Sequence, residues 1–321
     1  MIQKLNKIDK KILYVLNMNS RLPFTKIAKL TQTSREVVEY RVKRLIKLGI
    51  INRFSTIISS ARLGLKTYHL LMKLSNASEE EEKEIIDFLV KQKFSKYVRY
   101  CRGQYDLVYV FSVRNNKELS EAIDEINEKY STFISQRELL IPIKPLKYSE
   151  YPFLTKVNYQ QPTRHSFKEY VPDNNDKEII NILRNNSRVS FKELSYKLSI
   201  PQETARFKFN RLVKSGLVKD FSINVNTEIL GYVSYNLYLK IENYNYKQDK
   251  KIINRFYDEP FILSARRVVG KYDLVVEILC KNSKEFEEQF LRLKRYFKNS
   301  ISNYEITLKL KGFHKNTIYW D

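Results

Sequence analysis

Arg35, Glu36, Glu39, Tyr40, Lys43, Arg44 and Lys47 share one short segment, and 167 residues later Gln202, Glu203, Arg206, Phe207, Asn210, Arg211 and Lys214 form a related set. At 100° per residue of helix, Val38, Val42 and Leu45 make an inward stripe, while Glu36, Tyr40, Lys43 and Lys47 point the opposite way. In the second segment Ala205, Phe209 and Leu212 face inward; Glu203, Phe207, Asn210 and Lys214 face outward, flanked by Arg206 and Arg211. These types suit the edges of base pairs. An amide such as Asn210 matches adenine, a lysine such as Lys43 matches guanine, and an aromatic ring at Tyr40 or Phe207 can meet a thymine methyl. Arg44 and Arg211 suit phosphates. Glu36 and Glu203 equally suit the positive end of a helix dipole, and a helix whose polar face is only solvated is the bland alternative.

Both segments belong to one duplicated module. Asp9, Asn19-Ser20-Arg21, Phe24, Glu36, Arg44-Leu45, Gly49, Phe54, Leu63-Gly64, Gly103 and Tyr105-Asp106 recur, without a gap, at Asp176, Asn186-Ser187-Arg188, Phe191, Glu203, Arg211-Leu212, Gly216, Phe221, Leu230-Gly231, Gly270 and Tyr272-Asp273. The periodicity predicts a helix from Ile8 to Asn17 capped by Asn6, and a second from Phe24 to Thr31. A tight turn at Gln32-Thr33 follows, then a third helix capped by Ser34 and ended by Gly49. Alternating apolar segments, Ile50–Phe54 with Ile57-Ile58 and Leu217–Phe221 with Ile223 and Val225, read as the strands of a wing. Three helices and a wing make a winged helix-turn-helix able to place its third helix in the major groove of double-stranded DNA.

The rest of each copy reads strand, helix, strand, strand, helix, strand. Thr67–Leu74 is followed by a capping box at Ser78-Glu79-Glu80-Glu81, whose positions Asn245 and Gln248 fill in the second copy. The helix buries Ile85, Ile86 and Leu89; strands near Ser95–Cys101 and Tyr105–Val113, a helix near Lys117–Tyr130 and a strand around Gln136–Ile143 complete a ferredoxin-like βαββαβ domain. The fold class is therefore α+β, divided as winged helix-turn-helix 1–59, sensor 60–154, linker 155–171, winged helix-turn-helix 172–226 and sensor 227–321. A hairpin between the central strands explains Gly103 and Gly270 without any ligand.

Charge is concentrated where DNA would lie. The chain carries a net charge of +22; residues 1–59 hold 13 Lys and Arg against 3 Asp and Glu, and residues 172–226 hold 10 against 6. No apolar run approaches a membrane span and no secretory segment opens the chain, so a cytoplasmic location is expected. Cys101 and Cys280 occupy non-equivalent positions without zinc-ligand neighbours and read as buried small hydrophobes. With only 7 glycines, no Gly-Lys-Ser/Thr phosphate loop and no His-Glu-x-x-His pair, neither a catalytic residue set, a metal nor a cofactor is expected.

Through Asp9-Lys10-Lys11-Ile12-Leu13, Arg41-Val42-Lys43-Arg44-Leu45 with Gly49-Ile50-Ile51, Leu63-Gly64 and Gly103 to Asp106, each with its second-copy counterpart, the chain resembles two fused members of the feast/famine (Lrp/AsnC) family of prokaryotic transcription regulators. The resemblance implies sensors that pair through their sheets and often bind amino acids near the glycine-aspartate turn. On this chain that points to Gly103, Tyr105 and Asp106, and to Gly270, Tyr272 and Asp273. Departures are Ser135-Gln136-Arg137 and Ser302-Asn303-Tyr304, where family sensors often show threonines, and Arg41, which becomes Lys208. A tether of about 17 residues, containing Pro162, spans roughly 55 Å when extended, ample for pairing within one chain; further homo-oligomerisation stays open. Two alternatives remain. One is a siroheme decarboxylase-like fused pair, for which His69, His165 and His314 are unrelated by the repeat; the other is a sequence-tolerant architectural DNA binder.

Overall fold

The structure is a computed structural model that describes residues 2–147, 151–157, 169–297 and 300–315. His165, Pro162 and most of the tether lie outside the described residues. The first copy runs α1 (Lys7–Met18), α2 (Phe24–Thr31), α3 (Arg35–Lys47), β1 (Ile51–Ile58), β2 (Lys66–Leu74), α4 (Glu79–Lys91), β3 (Ser95–Gly103), β4 (Leu107–Val113), α5 (Asn116–Tyr130) and β5 (Ile134–Lys147). The second runs α6 (Asn174–Asn185), α7 (Phe191–Leu198), α8 (Gln202–Lys214), β6 (Val218–Val225), β7 (Val233–Ile241), α9 (Asp249–Asp258), β8 (Ile262–Val269), β9 (Leu274–Cys280), α10 (Ser283–Tyr296) and β10 (Ile301–His314).

Two compact units result, and each takes the equivalent piece of both copies: Met1–Leu65 with Phe153–Gly231, and Lys66–Pro152 with Tyr232–Lys315. In the first, α1 starts at a reciprocal box in which Asn6 Oδ1 accepts the Asp9 N–H and Asp9 Oδ2 accepts the Asn6 N–H. Gln32 ends α2 in the left-handed region, and Ser34 Oγ caps α3 by accepting the Val37 N–H. Ile12, Leu13, Leu16, Ile27, Val38, Val42 and Leu45 fill the three-helix core, and Ile179, Ile180, Leu183, Leu194, Ala205, Phe209 and Leu212 fill the other.

The wing differs from expectation. Ile51–Ile58 is one uninterrupted strand, and its partner is β6 of the other copy, antiparallel with Ser55 opposite Ser222. A lone strand cannot satisfy its ladder groups, so the two copies complete each other where two short strands per copy had been expected.

In the second unit the two βαββ arrays close into one barrel, β10-β3-β4-β2-β5-β8-β9-β7. The joints are β5 and β10. The first part of β5 pairs with β2, and residues from Ile141 onward pair with β8; β10 pairs with β7 and, beyond Thr307, with β3. This overlap makes β5 longer than the Gln136–Ile143 read from sequence. Pro142 and Pro145 would break a strand only in a fully paired setting; here register shifts follow both, at Pro142/Lys144 and Pro145/Lys147. Closure leaves no free sheet edge. Leu71, Tyr105, Val108, Leu140, Tyr238, Val268, Tyr272 and Val275 pack inside the barrel, while α9 and α10 cover the outer face of the second array through Ile252, Phe256, Phe290 and Leu293.

The Ser78 box forms as expected, with the Glu81 N–H on Ser78 Oγ and the Ser78 N–H on Glu81 Oε2. Its counterpart forms by half: Gln248 Oε1 accepts the Asn245 N–H at 3.1 Å, but the return bond from Asn245 goes elsewhere. Asn245 Oδ1 takes the Lys247 N–H, a 3-10 turn over Tyr246–Gln248 intervenes, and Gln248 precedes α9 without a side-chain cap. Cys101 and Cys280 are fully buried, and burial pushes their thiols up to about 11 and about 12.

Candidate nucleic-acid interface and sensor turns

Both third helices expose the expected faces. Tyr40 and Phe207, equivalent positions, are 66% and 67% exposed, an unusual state for rings of this size on helices that bury Val38 and Ala205 at their start. Glu39 pairs with Lys43 at 2.8 Å and Glu203 with Arg206 at 3.7 Å. The carboxyl of Glu36 is held below its ordinary value first by its own backbone N–H and then by the Ser34 hydroxyl, which fits a group at the start of a helix. Arg35, Lys47, Gln202, Asn210 and Lys214 lie on the same two helices.

Arg44 and Arg211 have a further attachment. Asp9, 1% exposed, receives Arg41 Nη1 at 3.1 Å and Arg44 Nη1 at 3.5 Å, tying α3 to α1. In the second copy Arg211 Nη2 lies 2.6 Å from Asp176 and 2.8 Å from Asp173, and Lys208 Nζ lies 2.6 Å from Asp173. This explains the change of Arg41 to Lys208. The shorter lysine pairs with a carboxylate at the cap position, where the first copy has the neutral Asn6. Asp9 and Asp176 recur in the sequence, yet their distance from the basic residues along the chain hides the clamp.

A second arrangement joins the two heads. Ser20 Oγ meets Ser187 Oγ at 2.6 Å, the hydroxyls of equivalent residues touching on the pseudo-two-fold. Arg21 donates to the carbonyls of Ser187 and Val189, the latter at 3.0 Å, and Arg188 donates to those of Ser20 and Leu22, the latter at 3.1 Å. Each guanidinium also lies over aromatic rings of the other copy, Arg21 at 4.6 Å from the Phe209 centroid and Arg188 at 4.6 Å from that of Phe24. In the sequence Arg21 and Arg188 stand only as repeated positions, and their role appears once the two copies pack together.

The sensor turns sit at the barrel joints. Gly103 has φ +128°, and a Cβ there would come within 2.4 Å of the Ile306 carbonyl; at Gly270, φ +139°, it would come within 2.7 Å of the Leu139 carbonyl. Each glycine lets its turn lie against the last strand of the other copy. Tyr105 and Tyr272 are fully buried and share a 2.6 Å hydroxyl contact on the pseudo-axis. Asp106 accepts the Leu74 N–H at 3.0 Å and pairs with Lys73 at 3.2 Å; Asp273 accepts the Ile241 N–H at 2.8 Å and pairs with Lys240 at 3.2 Å. These contacts account for all six residues within the barrel itself. Among the described residues no group of three or more His, Cys, Asp or Glu could hold a metal ion, and no helix is long and apolar enough to cross a membrane.

Comparison with known proteins defines the class. A model of the AsnC-type helix-turn-helix domain matches residues 5–46, and a model of winged helix-turn-helix DNA-binding domains matches residues 172–219. An uncharacterized HTH-type transcriptional regulator of Pyrococcus abyssi is 32% identical over 127 residues, which are 40% of this chain and 83% of that protein. The HTH-type transcriptional regulator FL11 of Pyrococcus furiosus is 32% identical over 122 residues, 38% of this chain and 80% of that one. Each relative therefore matches a stretch the length of one repeat. A solved siroheme decarboxylase, NirDL, superposes over 98% of this chain and 94% of its own with a TM-score of 0.65 and 14% identity, a likeness of fold alone. The chain belongs to the Lrp/AsnC family of helix-turn-helix regulators, and DNA-binding transcription regulation is its function.

Proposed function

We propose that one chain acts as a complete pseudo-dimeric regulator, reading two unequal half-sites of double-stranded DNA in the cytoplasm and carrying no catalytic activity. The observation that carries this reading is the pairing of β1 with β6, reinforced by the exchanged Arg21 and Arg188, which joins two DNA-binding heads inside one polypeptide. Its functional parts are the heads 1–59 and 172–226, the sensors 60–154 and 227–321, and the tether 155–171. In the first head Arg35, Glu36, Glu39, Tyr40, Lys43 and Lys47 face or flank the groove; in the second Gln202, Glu203, Arg206, Phe207, Asn210 and Lys214 do so. Arg44 and Arg211 meet phosphate while remaining anchored on Asp9 and Asp176. An amino-acid effector would engage the rims of the Gly103 and Gly270 turns, its ammonium displacing Lys73 and Lys240 from Asp106 and Asp273; Tyr105 and Tyr272, lying beneath, would hold the turns. Assembly of several chains is compatible with this arrangement.

Selection of sites from a random duplex pool at physiological salt tests the proposal. An imperfect palindrome, with one chain per site by light scattering, is the expected result. Equal binding of selected and random duplexes would favour the architectural alternative instead. The whole-chain likeness to NirDL keeps a decarboxylase reading in view. Against it, burial first, then the charge of Arg266, hold buried His69 well below its ordinary value, and His69 and His314 have Asn236 and Lys147 at their equivalent positions, so neither histidine is repeated in the other copy. A tetrapyrrole absorbance band in the purified protein would support that second reading.

A further inference from the structure

Beside the third helix of the first head lies an open cavity of about 320 Å³, lined by Lys4, Asn6, Asp9, Tyr40, Arg41 and Arg44. Two of its cations share one acid, with Arg41 Nη1 at 3.1 Å and Arg44 Nη1 at 3.5 Å from the two oxygens of Asp9. Lys4 is exposed and makes no ion pair among the described residues. Three cations against one carboxylate leave a surplus of two positive charges around a space open to solvent. Such cations repel one another, and an anion entering between them relieves the repulsion.

The second head has the same positions with that surplus removed. The equivalents of Lys4, Asn6, Tyr40 and Arg41 are Val171, Asp173, Phe207 and Lys208, while Asp9 and Arg44 keep their types as Asp176 and Arg211. One cation and one phenol hydroxyl are gone, and one carboxylate is gained. Asp173 Oδ2 takes Lys208 Nζ at 2.6 Å and Arg211 Nη2 at 2.8 Å, and Arg211 Nη2 also reaches Asp176 at 2.6 Å. Burial raises the Asp173 carboxyl, but hydrogen bonds from Lys208, the Asp176 N–H and Arg211 outweigh it and bring the group down to about 2, so it is ionised. Two cations therefore meet two carboxylates, and the chain's own Asp173 stands before Lys208 and Arg211. In the first head neutral Asn6 holds that position, and the cavity beside Arg41 and Arg44 stays open.

We infer that the first head, and not the second, seats one phosphate group of the DNA backbone in this cavity, held by Lys4, Arg41 and Arg44 with the Tyr40 hydroxyl as a further donor. The inference rests on the reading of the chain as a DNA-binding regulator and deepens it. Lys4 precedes α1, whereas Tyr40, Arg41 and Arg44 belong to α3, so a phosphate held by both fixes how α3 enters the groove. At the second head Arg211 meets phosphate with two carboxylates already engaging it, and its contribution is smaller.

Fluorescence anisotropy of the full chain on its selected duplex tests this, with backbone phosphates replaced one at a time by neutral methylphosphonates. One replacement flanking a half-site should weaken the natural chain by about ten- to a hundredfold, the loss of a charge-assisted hydrogen bond. The same replacement should leave Asn6→Asp unaffected, because the new carboxylate fills the seat while preserving the helix cap. Asn6→Asp should also lower the slope of log K against log salt by about 0.9. Val171→Lys with Asp173→Asn should create a matching sensitive position in the other half-site; no gain there overturns the closing role of Asp173. Duplex binding without any position whose effect Asn6→Asp removes overturns the phosphate seat and leaves the regulatory reading standing, whereas no binding to any duplex overturns both. Thermal unfolding in inorganic phosphate against sodium chloride at matched ionic strength separates a free ligand from the backbone. A rise in Tm that Asn6→Asp abolishes, with no sensitive position in the duplex, overturns the DNA assignment.

Discussion

Replacing Arg21 and Arg188 by methionine tests how the heads are held together, because methionine keeps an apolar stem against the rings and removes the guanidinium. Arg21 makes two hydrogen bonds from a charged donor, each contributing about 1.5 to 3 kcal/mol, and lies over Phe209 for roughly 0.5 to 2 kcal/mol more. Burial, followed by the facing charge of Arg188, lowers the Arg21 guanidinium from 12.5 to about 10. At about 1.36 kcal/mol per pH unit this opposes the clamp by roughly 3 kcal/mol. The net contribution is then about 0 to 5 kcal/mol per arginine, centred on roughly 2. Urea unfolding should register a loss of that size for Arg21→Met. The double variant should also tolerate altered spacing between half-sites, measured as the affinity ratio for duplexes whose half-sites are moved apart by half a helical turn. A double variant that unfolds at the same urea concentration and discriminates spacing as the natural chain does would refute the clamp.

Two further outcomes concern the barrel. Glu277 has a folded pKa of about 2 against an ordinary 4.5, so its stabilisation, roughly 3 kcal/mol, is present above pH 4.5 and is lost as the pH falls toward 2; Glu277→Gln should be less stable at pH 7 and should lack that acid-side slope in a pH series of denaturant melts. Gly103→Ala should destabilise the barrel by about 2 to 4 kcal/mol, since the methyl must move the Ile306 carbonyl and the backbone holds φ +128°; an unchanged melting temperature would show that the turn can shift away.

Local chemistry was legible in the sequence. The bounds of α2, the caps at Asn6, Ser34 and Ser78, and the buried faces of α3 and α4 follow from residue types a few positions apart, and the structure has them. The partner of a strand is not local information. Ile51–Ile58 carries an alternation that any antiparallel partner could satisfy, so a hairpin within one copy and a ladder between copies read alike. The extension of β5 past Ile143 rests on a change of partner from β2 to β8, again not local information, and Pro145 is tolerated there at a register shift. At the candidate sites, exposure of Tyr40 and Phe207 followed from helical period, whereas the hold of Asp9 on Arg44 needed the packing of α1 on α3.

Within each unit the contacts divide by their relation to that unit's own pseudo-two-fold axis, and the division has a physical cause. Ser20 with Ser187 and Tyr105 with Tyr272 pair a residue with its own equivalent, while Arg21 and Arg188, like Gly103 and Gly270, make the same contact in both directions. A change in one member of such a set leaves a buried hydroxyl, carbonyl or turn in the other copy without its complement, so these positions are identical in the two copies. The third helices meet no equivalent residue across the axis through Lys43, Tyr40 or Glu39, and there the second copy carries Asn210, Phe207 and Arg206. Inside the barrel, Val110 and Glu277 differ without touching each other's ladder. The scaffold is therefore symmetric at these four paired contacts, and asymmetric on the third helices and at the buried Arg99–Glu277 contact, where Val110 holds the equivalent place. On the reading proposed above, two heads joined through β1 and β6 with unlike third helices should select a DNA site whose two halves differ.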